Sequence, residues 1–217
     1  MTAETQPDRD RTFNMQIVFS RTSPYARKVM VLAHETGVID EFEIIESGDL
    51  SAVSRNETVV ARNPIGKIPV LVLNDGSSMI DSRVICEFLD GLHAGPRMFP
   101  TSGRRRWQML TRQAVADGIL DAAVNTRDEI MLRPERYRWP EWIDGQMLKV
   151  RRALDQLETE VGDIDAAVDM GSIAVACALG YLDFRYRDEG WRDSRPGLAE
   201  WYREFSARPS MQATTPE

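Results

Sequence analysis

The sequence predicts a small α/β unit of order β-α-β-β-β-α followed by a half built of helices alone. Three features carry that expectation. A short run of strand period gives way at Ser23-Pro24 to a helical period. Two apolar runs flank the triplet Asn74-Asp75-Gly76, a hairpin signal because Asp-Gly tolerates positive φ. From Trp107 onward the apolar stripes recur at helical spacing only.

Met15, Ile17 and Phe19 alternate with Gln16 and Val18, which reads as the first strand. In the helix that follows, Tyr25, Val29, Leu32, Ala33 and Thr36 form the apolar face, Arg27, Lys28 and Glu35 are expected to face away, and Gly37 is a natural stop. Phe42 to Glu46 reads as a second strand, and Ser47 to Asn63 as a connection with room for a short helix. Ile68 to Leu73 and Ser78 to Ile80 are the hairpin strands, and Val84, Ile85, Phe88, Leu89 and Leu92 mark a helix ending near His93 to Pro96.

In the second half one stripe runs through Trp107, Leu110, Ala114, Gly118, Ile119 and Ala122, and another through Ile143, Met147, Val150, Leu154, Leu157 and Val161. Ile173 to Leu182 is apolar on nearly every face, as a central bundle helix should be, and Leu198, Trp201, Tyr202 and Phe205 give a last amphipathic helix. Asp169 can cap the central helix, and because Ser172 stands where a capping box carries Glu or Gln, the cap is expected to be one-sided. The boundaries drawn are a disordered extension over 1–13, the α/β domain over 14–94, a linker over 95–102 and the helical domain over 103–217.

Composition limits the function. The 217 residues are 42% hydrophobic and 28% charged, the balance of an ordinary soluble protein. A net charge of −7 opposes nucleic acid and anionic lipid as partners, and Arg104-Arg105-Arg106 is one short run that reads as a solvated helix start. Two isolated cysteines, Cys86 and Cys177, make no disulfide framework and suit a reducing cytoplasm. Neither an export signal nor a membrane span is expected. His34 and His93 stand apart with no ligand spacing around them, so they read as surface histidines and no metal is expected. Phosphate-binding glycine loops and Gly-x-Ser-x-Gly elbows do not occur.

Three stretches in order, Thr22 to Val29, Asn63 to Leu71 and Ile80 to Ile85, together with the helix Gly171 to Leu182, resemble the cytosolic glutathione S-transferase family. The resemblance runs from Met15 to Pro209, nearly the whole chain. It implies a thioredoxin-like N-terminal domain, a helical C-terminal domain, glutathione as co-substrate and a homodimer. Relatives commonly carry Asp where Ser172 stands, a departure that bears on the start of that helix before it bears on chemistry.

A glutathione thiol must lose its proton to attack, and a hydroxyl at a helix N-terminus can donate to the sulfur while the helix end adds partial positive charge. Ser23 is placed for that, at the position where zeta-like relatives use serine and omega-like relatives cysteine; Ser20 and Thr22 are neighbouring alternatives, and helix capping with Pro24 at the first position accounts for Ser23 equally well. By the resemblance Ile68-Pro69 is cis and the Ile68 backbone pairs with the cysteinyl backbone of glutathione, Lys67 meets its glycyl carboxylate, and Asp81 with Ser82 holds the γ-glutamyl end. On the residues alone Pro69 can also open an edge strand, Lys67 can be a solvated lysine and Asp81 a plain N-cap. The acceptor site is expected between the halves, with Tyr25 in its wall. Conjugation of a small hydrophobic electrophile, as in detoxification, is the first reading. The alternatives are a non-catalytic glutathione or ligand carrier and a glutathione-dependent isomerase or dehalogenase.

Overall fold

A computed structural model describes residues 15–48, 50–53, 55–164 and 168–217. The extension expected to be disordered, 1–13, lies outside the described residues.

The first unit runs β1 (Met15–Phe19), α1 (Pro24–Thr36), β2 (Phe42–Glu46), α2 (Glu57–Val60), β3 (Val70–Val72), β4 (Ser78–Met79) and α3 (Ser82–Asp90). The sheet order is β2-β1-β3-β4, with β1 and β2 parallel and the other pairs antiparallel. The hairpin strands are shorter than the apolar runs suggest, since Ile68, Pro69, Leu73 and Ile80 lie outside the paired residues. Helix α1 ends at Gly37, whose φ of 75° is the left-handed turn a glycine takes without cost.

Helices α4 (Gly103–Leu132), α5 (Pro140–Thr159), α6 (Val161–Ile164), α7 (Met170–Arg185), α8 (Pro196–Ser206) and α9 (Pro209–Ala213) form the second unit. From Met170 to Leu182 every residue of α7 is buried, and the helix packs against both α4 and α1. No helix among the described residues is long and apolar enough to cross a membrane.

The fold corrects four expectations, and packing between the units explains the first of them. Arg27, Lys28 and Glu35 do not face away: Lys28 is 0% exposed and Arg27 8%, and the Glu35 carboxylate is covered by Arg208 and Ser210. The polar side of α1 is roofed by α4, α7 and α9, so what reads as an outer face is an internal seam. On α4 the buried side is Met109, Gln113, Ala116, Ile119, Leu120 and Ala123, while Trp107 stands 67% exposed with Ala114 and Gly118 also outside. His93 is no surface residue, since its ring is tucked against Asp90 with Nε2 3.1 Å from Oδ1.

The fourth correction concerns the cap of α7. Asp169 accepts the Ser172 N–H at 3.0 Å and Ser172 Oγ accepts the Asp169 N–H at 2.9 Å, a reciprocal capping box. A serine reaches back as a glutamate would, and the carboxylate missing at 172 is supplied from 169.

Candidate glutathione and acceptor site

Strand register brings the three motif stretches to one edge of the sheet. Val18 pairs with Val70 and Leu71 with Met79. Continuing both registers by one or two residues sets Pro69 between Phe19 and Asp81. The end of β1, the start of β3 and the end of β4 therefore open on the same groove.

Ser23 is the N-cap of α1, in extended backbone, and its Oγ accepts the Ala26 N–H at 3.3 Å. Accepting uses a lone pair and leaves the hydroxyl hydrogen free, so capping and donation to a sulfur are compatible. The Ser20 and Thr22 hydroxyls bond each other at 3.2 Å, which commits one of their two hydrogens. Ser23 lines a narrow crevice with Arg21, Thr22, Arg27, Tyr181 and, from the C-terminal segment, Pro216.

The second stretch is held by a residue given no role from the sequence. Asn63, 1% exposed, donates from Nδ2 to the Lys67 carbonyl at 2.6 Å and accepts the Ile65 N–H at 3.1 Å. That staple shapes the loop, with Gly66 at φ 66°. The Ile68–Pro69 bond is cis, Pro69 is buried, Ile68 half-buried, and the Lys67 side chain is exposed.

Asp81 caps α3, accepting the Arg83 N–H at 2.9 Å. Its Oδ2 also receives the Arg83 guanidinium at 2.9 and 3.2 Å. Burial alone would raise the Asp81 carboxyl, yet the Arg83 hydrogen bonds and charge, with Lys28 behind them, hold it below its ordinary value and ionised. Ser82 is buried in the first turn, where helix N–H groups lack intrahelical acceptors.

The seam behind this groove is ionic. Lys28 Nζ is bonded to Asp117 Oδ1 on α4, and Arg83 Nε lies 3.9 Å from Asp117 Oδ2. Tyr25 Oη donates to Asp121 one turn along α4, so Tyr25 does stand between the units; burial first and Asp121 second push its phenol above the ordinary range. Cys86 and Cys177 are free, fully buried and pushed up to about 12 and about 11 by that burial, which leaves them poor nucleophiles. Among the described residues no group of His, Cys, Asp and Glu could hold a metal.

A thioredoxin-like sheet whose helix N-termini and cis-proline turn face one groove, roofed by a helical domain, defines the glutathione transferase class. Two family models match: the glutathione S-transferase N-terminal domain over residues 18–97 and the C-terminal domain over 140–204. The chain is 34% identical over 206 residues to an uncharacterized GST-like protein of Escherichia coli, YibF, covering 93% of this chain and 98% of that one. A glutathione transferase family member from Pseudomonas fluorescens Pf-5, solved with bound glutathione, superposes with a TM-score of 0.93 at 47% identity, covering 94% and 100% of the two chains. A second structure from that organism, with bound S-(propanoic acid)-glutathione, gives 0.88 at 46% identity over the same shares. The protein belongs to the glutathione S-transferase family.

Proposed function

We propose that this protein is a glutathione transferase in which Ser23 donates its hydroxyl hydrogen to the glutathione sulfur and the thiolate attacks a small electrophile. The observation that carries the reading is the Ser23 hydroxyl, buried by half at the start of α1 with its hydrogen uncommitted. A thiol near the usual cysteine value is mostly protonated at neutral pH, so each fixed donor and the positive helix end favour the ionised form. The sulfur then bonds to the acceptor carbon; in substitution the leaving group departs with the bonding pair, and in addition the π pair of an activated double bond shifts to the neighbouring carbon, which takes a proton from water.

In this reading the Ile68 backbone pairs with the cysteinyl segment, Lys67 answers the glycyl carboxylate, and Ser82 with the first-turn N–H groups of α3 receives the γ-glutamyl carboxylate. Asp81, kept anionic by Arg83, faces the γ-glutamyl amine. The glutathione bound in the Pf-5 relative at 47% identity supports the ligand, and the S-(propanoic acid) conjugate in its second structure supports addition to an acceptor. Exposed Val84 lines, with Phe99, Leu110 and Ala114, a cleft of about 240 Å³ between α3 and α4 that suits a second copy. Two free, buried cysteines agree with a reducing cytoplasm. The domain limits of 14–94 and 103–217 belong to the same reading.

The test is conjugation of a chloronitroaromatic, followed beside the ultraviolet absorbance of the bound thiolate. Ser23→Ala should bind glutathione but lose the thiolate band and about a hundredfold in rate, the scale of one fixed donor to a developing anion. Equal rates in the two proteins would remove Ser23 from the chemistry.

A further inference from the structure

We propose that the acceptor electrophile carries an anionic group, a carboxylate being the fitting class, received by Arg185 and Arg127 beside the Ser23 crevice. The inference rests on the transferase reading and names the acceptor for that same site.

Tyr181 of α7 lines the crevice with Ser23. One turn further on the same face stands Arg185. The end of α7 is tied to α4 by the Tyr186 hydroxyl, which donates to the Ala123 carbonyl at 2.6 Å, and Arg127 lies one turn beyond Ala123. The two guanidinium groups thus continue the wall that begins at the crevice.

Both lack a carboxylate partner among the described residues. Arg185 Nε is buried with no hydrogen-bond partner, and its guanidinium lies over the Phe184 ring at 3.8 Å. Other arginines are clasped, half-buried Arg208 by Glu35, buried Arg195 by Asp155 and exposed Arg192 by Asp183, while buried Arg112 shares with Arg185 an Nε without a partner. Burial and then the charge of Arg127 hold the Arg185 guanidinium below its ordinary value, with no carboxylate among the groups that act on it. Burial raises the Tyr181 phenol, opposed by the charges of both arginines.

A cation in the last turn of a helix complements its dipole, which accounts for Arg185 but not for Arg127 beside it. Asp128 feels the Arg127 charge yet stands outside ion-pair distance, and burial raises its carboxyl. Two adjacent cations held partly out of water are relieved by an anion, and guanidinium offers carboxylates a two-pronged hydrogen bond.

The test compares 4-chloro-3-nitrobenzoate with 4-chloro-3-nitrobenzamide. In both, sulfur bonds to the ring carbon and chloride leaves with the C–Cl electron pair; only the remote group differs in charge. The wild type should prefer the benzoate in kcat/KM by about tenfold or more. Arg185→Met and Arg127→Met should each erase most of that preference, and Arg185→Lys should keep part of it. Reading the ratio within each variant cancels any loss common to both probes. Calorimetry of S-(carboxyethyl)glutathione against S-(carbamoylethyl)glutathione asks the same question without turnover. A wild type indifferent to the charge, or a preference untouched by Arg185→Met, overturns the proposal. Failure to bind glutathione itself overturns the transferase reading beneath it.

Discussion

Lys28 has no water to solvate it: its side chain is 0% exposed and Asp117 is its bonded partner across the seam between the units. Lys28→Met keeps the length of the side chain and removes the charge. Asp117 is left about as buried as before, with Oδ1 newly bare, Oδ2 already without a hydrogen-bond partner, and only Arg83 Nε at 3.9 Å for compensation. Removing one member of a buried pair costs about 3–5 kcal/mol because the survivor stays desolvated and uncompensated. For a chain of about 200 residues each kcal/mol lowers the melting temperature by about 2–4 °C, so the loss should be about 6–20 °C.

Urea unfolding followed by fluorescence of the five tryptophans measures the cost directly. Lys28→Met with Asp117→Leu should recover most of it, since two apolar side chains of similar volume often equal a buried ion pair. A single variant within about 1 kcal/mol of the wild type, or a double variant as unstable as the single, would refute the account of the seam as a mutually compensated pair.

Two other expectations follow from local chemistry. The reciprocal box at α7 predicts that Asp169→Ala and Ser172→Ala each lower the urea midpoint, by about 1 kcal/mol; a neutral Ser172→Ala would show the bond from the Asp169 N–H to be idle. Glu35 is held below its ordinary 4.5 chiefly by the Arg208 hydrogen bonds, against burial and with Ser210 helping. A lowered carboxylate contributes stability above its unfolded value and loses it as pH falls through the folded one. Wild-type stability should therefore decline as the solution is acidified below 4.5, and Glu35→Gln should start lower at neutral pH and decline less steeply; parallel acid limbs would contradict the pairing.

The elements of the first unit were legible because each is set by neighbours in sequence: the Ser-Pro cap, the left-handed Gly37, the Asp-Gly turn. Burial was legible only where one unit covers the helix. Arg27, Lys28 and Asp117 carry the charges of a solvated face, and nothing in a 3.6-residue period reveals that a second domain will close over them. Arg27 shows how closely it closes. A methyl group added at Gly180 of α7 would overlap Arg27 Nη1, so the guanidinium occupies the space where most residues carry Cβ. The α9 segment that receives Arg27 through the Met211 carbonyl was missed because five residues give too few turns for a period.

The site divides along the same line. Ser23, Ile68, Pro69, Asp81 and Ser82, assigned to glutathione in the proposed reading, stand at turns and helix starts, which have local signatures. Asn63 and Arg83 lay inside the same motifs without a visible role, since one acts on a carbonyl four residues away and the other folds back on its neighbour. Of the proposed acceptor wall, only Tyr25 was named from the sequence. Tyr25, Asp121, Arg127, Tyr181 and Arg185 come from three helices and are brought together only by the crossing of α1, α4 and α7. In the proposed reading the shared co-substrate is held by turns of the first unit, while selectivity falls to Tyr25 and to side chains on helices of the second. Substitutions on α4 and α7 can then retune the acceptor without disturbing the turns that hold glutathione. That division predicts that variants at Arg127 and Arg185 shift acceptor preference, and that Ser23→Ala slows every acceptor alike.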